Sequence, residues 1–81
     1  MRLPRDLSGE ELADLLERYG YEVTRQTGSH MRLTTTEGDE HHITIPRHKS
    51  LRVGTLSAIL RDVAEHLGIS RQDLQEALFG R

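Results

Sequence analysis

The sequence predicts an α+β fold in the order α-β-β-β-α, built around a three-stranded antiparallel sheet, with a short extra helix at the C-terminal end. Three observations carry that expectation. Leu12, Leu15, Leu16 and Tyr19 recur at helical spacing, and so, further on, do Leu56, Ile59, Leu60, Val63 and Leu67. Between them, three short stretches alternate apolar with polar residues, as strands with one buried face do. The connections between those stretches are short enough to require antiparallel pairing.

Each element carries its own signals. The first helix is expected over residues 8–19. Ser8 is a good N-cap and Glu11 stands three residues on, which completes a capping box; Leu7 and Leu12 occupy the positions of a hydrophobic staple. Gly20 suits the left-handed C-terminal cap. Residues 21–26, with Tyr, Val and Thr, read as the first strand, and Thr27-Gly28-Ser29 as a turn. Residues 30–36 form the second strand, 37–40 a polar turn with Gly38 free to take positive φ, and 41–45 a third strand ended by Pro46. Alternation assigns Val23, Met31, Leu33, Ile43 and Ile45 to the helix-covered face. It assigns His30, Arg32, Thr34, His42 and Thr44 to the opposite face. Residues 46–54 read as a basic loop, after which Thr55 caps the second helix and Gly68 ends it. Ser70 with Asp73 marks the third, which carries Leu74, Leu78 and Phe79.

Composition narrows the class. At 81 residues the chain is expected to be one domain, residues 1–81. It has no cysteine, so a disulfide framework and a thiolate zinc site are excluded, in keeping with a reducing cytoplasm. No apolar stretch approaches the roughly 20 residues that span a bilayer, and residues 1–6 lack the apolar run of a signal peptide. A cytoplasmic, soluble protein is expected. The net charge is −2, but the charges are segregated. Arg25, His30, Arg32, His41, His42, Arg47, His48, Lys49 and Arg52 fall in the middle of the chain, and acidic residues gather in the flanking helices, so the molecule can carry a basic face.

Gly28-Ser29-His30 is the candidate chemical motif. Glycine allows close approach of another backbone, such as a phosphodiester, and an imidazole titrates near neutral pH, so it can take or give a proton. RNA brings its own nucleophile, the 2′-hydroxyl. The protein then has to supply an acid–base group and positive charge near the phosphate. Taken alone, the same residues also suit a solvated strand histidine beside a turn. His41 and His42 point to opposite faces of a strand and cannot chelate one ion together, so no metal and no cofactor are expected.

The order of motifs is similar to that of a known family. A helix, then Gly28-Ser29-His30, then Ile43-Thr44-Ile45-Pro46-Arg47-His48, then Leu51-Arg52-Val53-Gly54-Thr55-Leu56 leading into a helix, resembles the HicA toxins of bacteria over about residues 12–70. The resemblance implies a fold like the double-stranded-RNA-binding domain, cleavage of messenger RNA, and a HicB-like antitoxin as partner. The family's catalytic histidine maps onto His30. The residues expected to meet RNA are Gly28, Ser29, Arg32, Arg47, His48, Lys49, Arg52 and Thr55. Of these, His48 equally suits a turn-shaping role after Pro46, and Thr55 a plain helix cap. The chain departs from the family in being less basic and in carrying residues 70–79 as an added segment. A double-stranded-RNA-binding module or a protein-interaction domain without catalysis are the alternative readings.

Overall fold

A computed structural model describes residues 3–80. Its elements are α1 (Gly9–Leu16), continued by a 3-10 turn (Glu17–Tyr19), β1 (Glu22–Thr27), β2 (His30–Thr35), β3 (His41–Pro46), α2 (Val53–Leu67) and α3 (Arg71–Phe79). The strands form one antiparallel sheet in the order β1-β2-β3. The expected α-β-β-β-α order with an extra C-terminal helix is therefore what the chain adopts.

Local signals act as their chemistry dictates. The Ser8 side chain accepts from the Glu11 backbone N–H at 3.0 Å, and the Glu11 carboxylate accepts from the Ser8 N–H at 2.9 Å, closing the capping box. Gly20 takes φ +83° after the 3-10 turn and releases the chain into β1. Gly28 and Ser29 alone link the paired residues Thr27 and His30. Of the two, only Gly28 has positive φ, +46°, the arrangement of a type II′ hairpin turn. Ser70 caps α3 by accepting from the Asp73 N–H at 3.0 Å.

The core lies between one face of the sheet and the helices. Met31, Leu33, Ile43 and Ile45 are buried from the sheet, and Leu12, Leu16, Leu56, Leu60 and Val63 from α1 and α2. α3 adds Leu74 and Leu78. Thr35 is buried and polar but satisfied: its hydroxyl donates to the Tyr19 carbonyl and accepts from the Glu37 N–H, each at 3.2 Å. The opposite face of the sheet is open, with His30, Arg32, His42 and Thr44 exposed on it.

Three expectations are corrected. Val23 is not a core residue but 46% exposed. It shares the helix-facing side with its partner Leu33. However, β1 is an edge strand, and every one of its residues is exposed because the core side chains come from β2, β3 and the helices. Tyr21 precedes the strand instead of opening it, and its ring is fully buried. α2 starts two residues before Thr55: Arg52 is the N-cap residue, with no side-chain cap, and Thr55 lies within the first turn. The helix extends back because Val53 and Gly54 already take helical geometry, and the Leu56 N–H donates to the Arg52 carbonyl at 2.9 Å.

Candidate functional site

His30 is the first residue of β2, at the hairpin end of the sheet, opposite Pro46 at the end of β3. Its side chain is exposed on the open face. His30 Nδ1 lies 3.2 Å from Ser29 Oγ. The serine hydroxyl can accept from Nδ1–H or donate to a bare Nδ1, so it can support either tautomer. Nε2 has no partner among the described residues and faces solvent. The arrangement leaves one ring nitrogen held and the other free to exchange a proton with a bound molecule.

The hairpin turn is fastened from below. The Arg47 backbone N–H donates to the Ser29 carbonyl at 2.7 Å. The Arg47 guanidinium donates to the Gly28 carbonyl at 3.5 Å and pairs with Glu10 at 3.1 Å. The start of α1 is in turn tied to the loop after β3: the Gly9 N–H donates to the His48 carbonyl at 3.0 Å, and the Leu51 N–H to the Leu7 carbonyl at 2.7 Å. This close docking requires glycine at position 9, because a β-carbon there would overlap the Pro46 carbonyl oxygen. Sequence reasoning missed Gly9. A glycine just after an N-cap serine carries no signal of what packs on it.

The other sequence-predicted residues divide into two groups. Ser29, Arg47 and His48 all take part in the hairpin fastening, His48 through its backbone, and Gly28 supplies the turn. Arg32 stands on the open face of β2, two residues from His30. Lys49 and Arg52 are exposed in the loop that leads to α2, and Thr55 is half-buried in that helix's first turn. The loop leaves β3 at the rung occupied by His30, so the cationic residues gather at one end of the sheet.

A second group of titratable side chains sits at the other end. His41 pairs with Thr35 in the ladder and turns toward the helices, while His42 lies on the open face, so the two adjacent histidines do face opposite ways. His41 Nε2 lies 3.1 Å from Asp62 Oδ1, and Nδ1 2.7 Å from the Tyr21 hydroxyl. A carboxylate only accepts, so the uncharged ring carries its hydrogen on Nε2 and accepts from Tyr21 at Nδ1. His66 stacks on His41 with ring centroids 4.5 Å apart and donates to the Glu37 carbonyl at 3.0 Å. Burial, helped by the nearby Asp62 carboxylate, pushes the Tyr21 phenol from 10.0 up to about 12. On the open face, His42 Nε2 donates to Glu40 at 2.8 Å, and Nδ1 accepts from the Thr34 hydroxyl at 2.8 Å. Among the described residues, no three His, Asp or Glu side chains converge to hold a metal ion. No helix among them is long and apolar enough to cross a membrane.

Residues 9–64 match the family model described as the HicA toxin of bacterial toxin–antitoxin systems. The match begins at Gly9 and covers α1, the whole sheet and most of α2, and therefore all of the hairpin end described above. No curated protein and no solved structure matches the chain.

Proposed function

Because the chain belongs to the HicA family of bacterial toxins, we propose that it is a metal-independent endoribonuclease that cleaves messenger RNA with His30 as its acid–base group. Membership implies an antitoxin partner; in this reading the partner is HicB-like and silences the hairpin end by binding over it. The chain works as one domain, residues 1–81, in the cytoplasm.

The observation that carries the proposal is the free Nε2 of His30 on an open, cationic face, with Nδ1 held by Ser29. A substrate ribose brings its 2′-hydroxyl to Nε2 and gives up its proton there. The 2′-oxygen bonds to the adjacent phosphorus, the bond from phosphorus to the 5′-oxygen breaks, and the leaving oxygen takes up a proton. The products are a 2′,3′-cyclic phosphate and a 5′-hydroxyl. Gly28 and Ser29 let the phosphodiester backbone come close to the turn. Arg32, Arg47, Lys49 and Arg52 hold phosphates by charge and His48 by a hydrogen bond from its ring, which gives affinity without choice of sequence. The first turn of α2, with Thr55 in it, adds backbone N–H groups that no side chain caps.

The test compares the parent protein with His30→Ala on total RNA in the presence of a chelator. The parent is expected to cut. The variant should lose cleavage by about 10²- to 10⁴-fold, the usual worth of one acid–base group. Its urea midpoint should shift by no more than about 0.5 kcal/mol of stability, as for an exposed residue. Cleavage that needs an added divalent metal, or that survives the substitution, overturns the proposal.

A further inference from the structure

β1 is not a regular strand. Its register runs from Val23 opposite Leu33 to Arg25 opposite Arg32, which leaves Thr24 as an extra residue in a β-bulge. In an unbroken strand with Val23 on the helix side, Thr24 would face outward and Arg25 inward again. The bulge turns Arg25 to the open face instead, beside Thr24, whose hydroxyl lies 2.9 Å from that of Thr34 on the same face.

The consequence is two guanidinium groups directly across the ladder from one another. Both are exposed, and among the described residues neither has a carboxylate or carbonyl partner. Like charges placed opposite in a sheet disfavour the pairing. Three other arginines are engaged, Arg47 with Glu10, Arg18 with the Ala77 carbonyl and Arg71 with the Ser57 hydroxyl. Arg52 and Arg61 are exposed without such a partner among the described residues, but neither stands on the sheet or across a ladder from a second arginine. On the open face, the next rung along is the pair Thr27 and His30. Two residues along a strand is about 7 Å, comparable to the step between successive phosphates in an extended single strand of RNA.

We propose that Arg25 and Arg32 form a clamp for the phosphodiester next to the one presented to His30, so that the bulge builds a second phosphate subsite. The inference rests on the nuclease reading and deepens it. Two planar guanidiniums converging on one anion can each make paired N–H···O bonds to phosphate oxygens, an arrangement ammonium groups do not reproduce. Binding there relieves the repulsion across the ladder, and it fixes the strand in register with the histidine.

The experiment uses His30→Ala protein, which holds RNA without cutting it, and a labelled single-stranded oligouridylate read by fluorescence anisotropy across a salt series. Each of Arg25→Gln and Arg32→Gln should raise Kd and flatten the slope of log K against log salt by about 0.7, and the double variant by about 1.4. Arg25→Lys keeps the charge. It should keep the slope but weaken binding through loss of the paired hydrogen bonds. Arg61→Gln, an exposed change on α2, should leave the slope as it is. If the parent binds and the double variant shows the parent's slope, the clamp is wrong while the nuclease reading stands. If the His30→Ala protein binds no oligouridylate, the clamp is wrong, and cleavage of RNA by the parent with His30 intact then decides whether the nuclease reading stands. If the double variant binds oligouridylate like the parent but loses the antitoxin, the arginines serve a protein contact and the clamp is overturned.

Discussion

At the scale of single residues, the imidazoles of this chain show how place decides role. His30 keeps a free nitrogen because only a serine hydroxyl engages the other. His41 has both nitrogens occupied, by Tyr21 and Asp62, and its face covered by His66. The sequence separates His30 from the core through strand alternation alone. It does not reveal the Tyr21–His41–Asp62 contact, because the three residues meet only after helix and sheet have packed. That contact makes a prediction. The folded protein holds the Tyr21 proton more tightly than the unfolded chain does, with a pKa of about 12 against 10.0. The contribution is therefore complete below pH 10 and is lost as pH rises through about 12. Urea midpoints should fall across that window in the parent and fall less in Tyr21→Phe. At neutral pH the variant should be less stable by about 1 kcal/mol, for the hydrogen bond to His41.

At the scale of elements, α1 and the loop after β3 act as a brace under the hairpin. The brace depends on Gly9, which packs its bare Cα against Pro46. Alanine is normally the better helix former by about 1 kcal/mol, yet Gly9→Ala should destabilise by about 1–3 kcal/mol, because the β-carbon has to push into backbone. Gly54→Ala on α2, where a β-carbon meets open space, should be neutral or stabilising by up to about 1 kcal/mol. Opposite signs for the two changes in urea melts are the check. Helix caps, turns and the faces of β2 and β3 were legible because each is set by a few neighbouring residues. The exposure of Val23 is not legible because alternation assigns a face but not whether an edge strand's face is covered, and the orientation of Arg25 is not legible because a one-residue bulge has no local marker. Thr55 has the side chain of a cap, yet Arg52, a poor capping residue by type, stands at the N-cap because its backbone takes the extended cap conformation.

At the scale of the whole molecule, α3 is part of the fold although it lies beyond the family match, which ends at residue 64. It buries Leu74 and Leu78, worth about 1.5–3 kcal/mol each, and it is pinned by Arg18 and Arg71. A chain of 81 residues has a total stability of only about 4–12 kcal/mol. Truncation after Ile69 should therefore remove a large share of that stability and lower the midpoint of the thermal transition seen by circular dichroism; a truncated chain that melts as the parent does would show α3 to be dispensable. The segregated charges matter at this scale too, since a net charge of −2 coexists with a cationic sheet end. The open face, finally, bears on how such a molecule can be switched off. His30, the acid–base group of the proposed reading, stands exposed on the open side of the sheet, so shielding it calls for a broad roof laid across several strands at once.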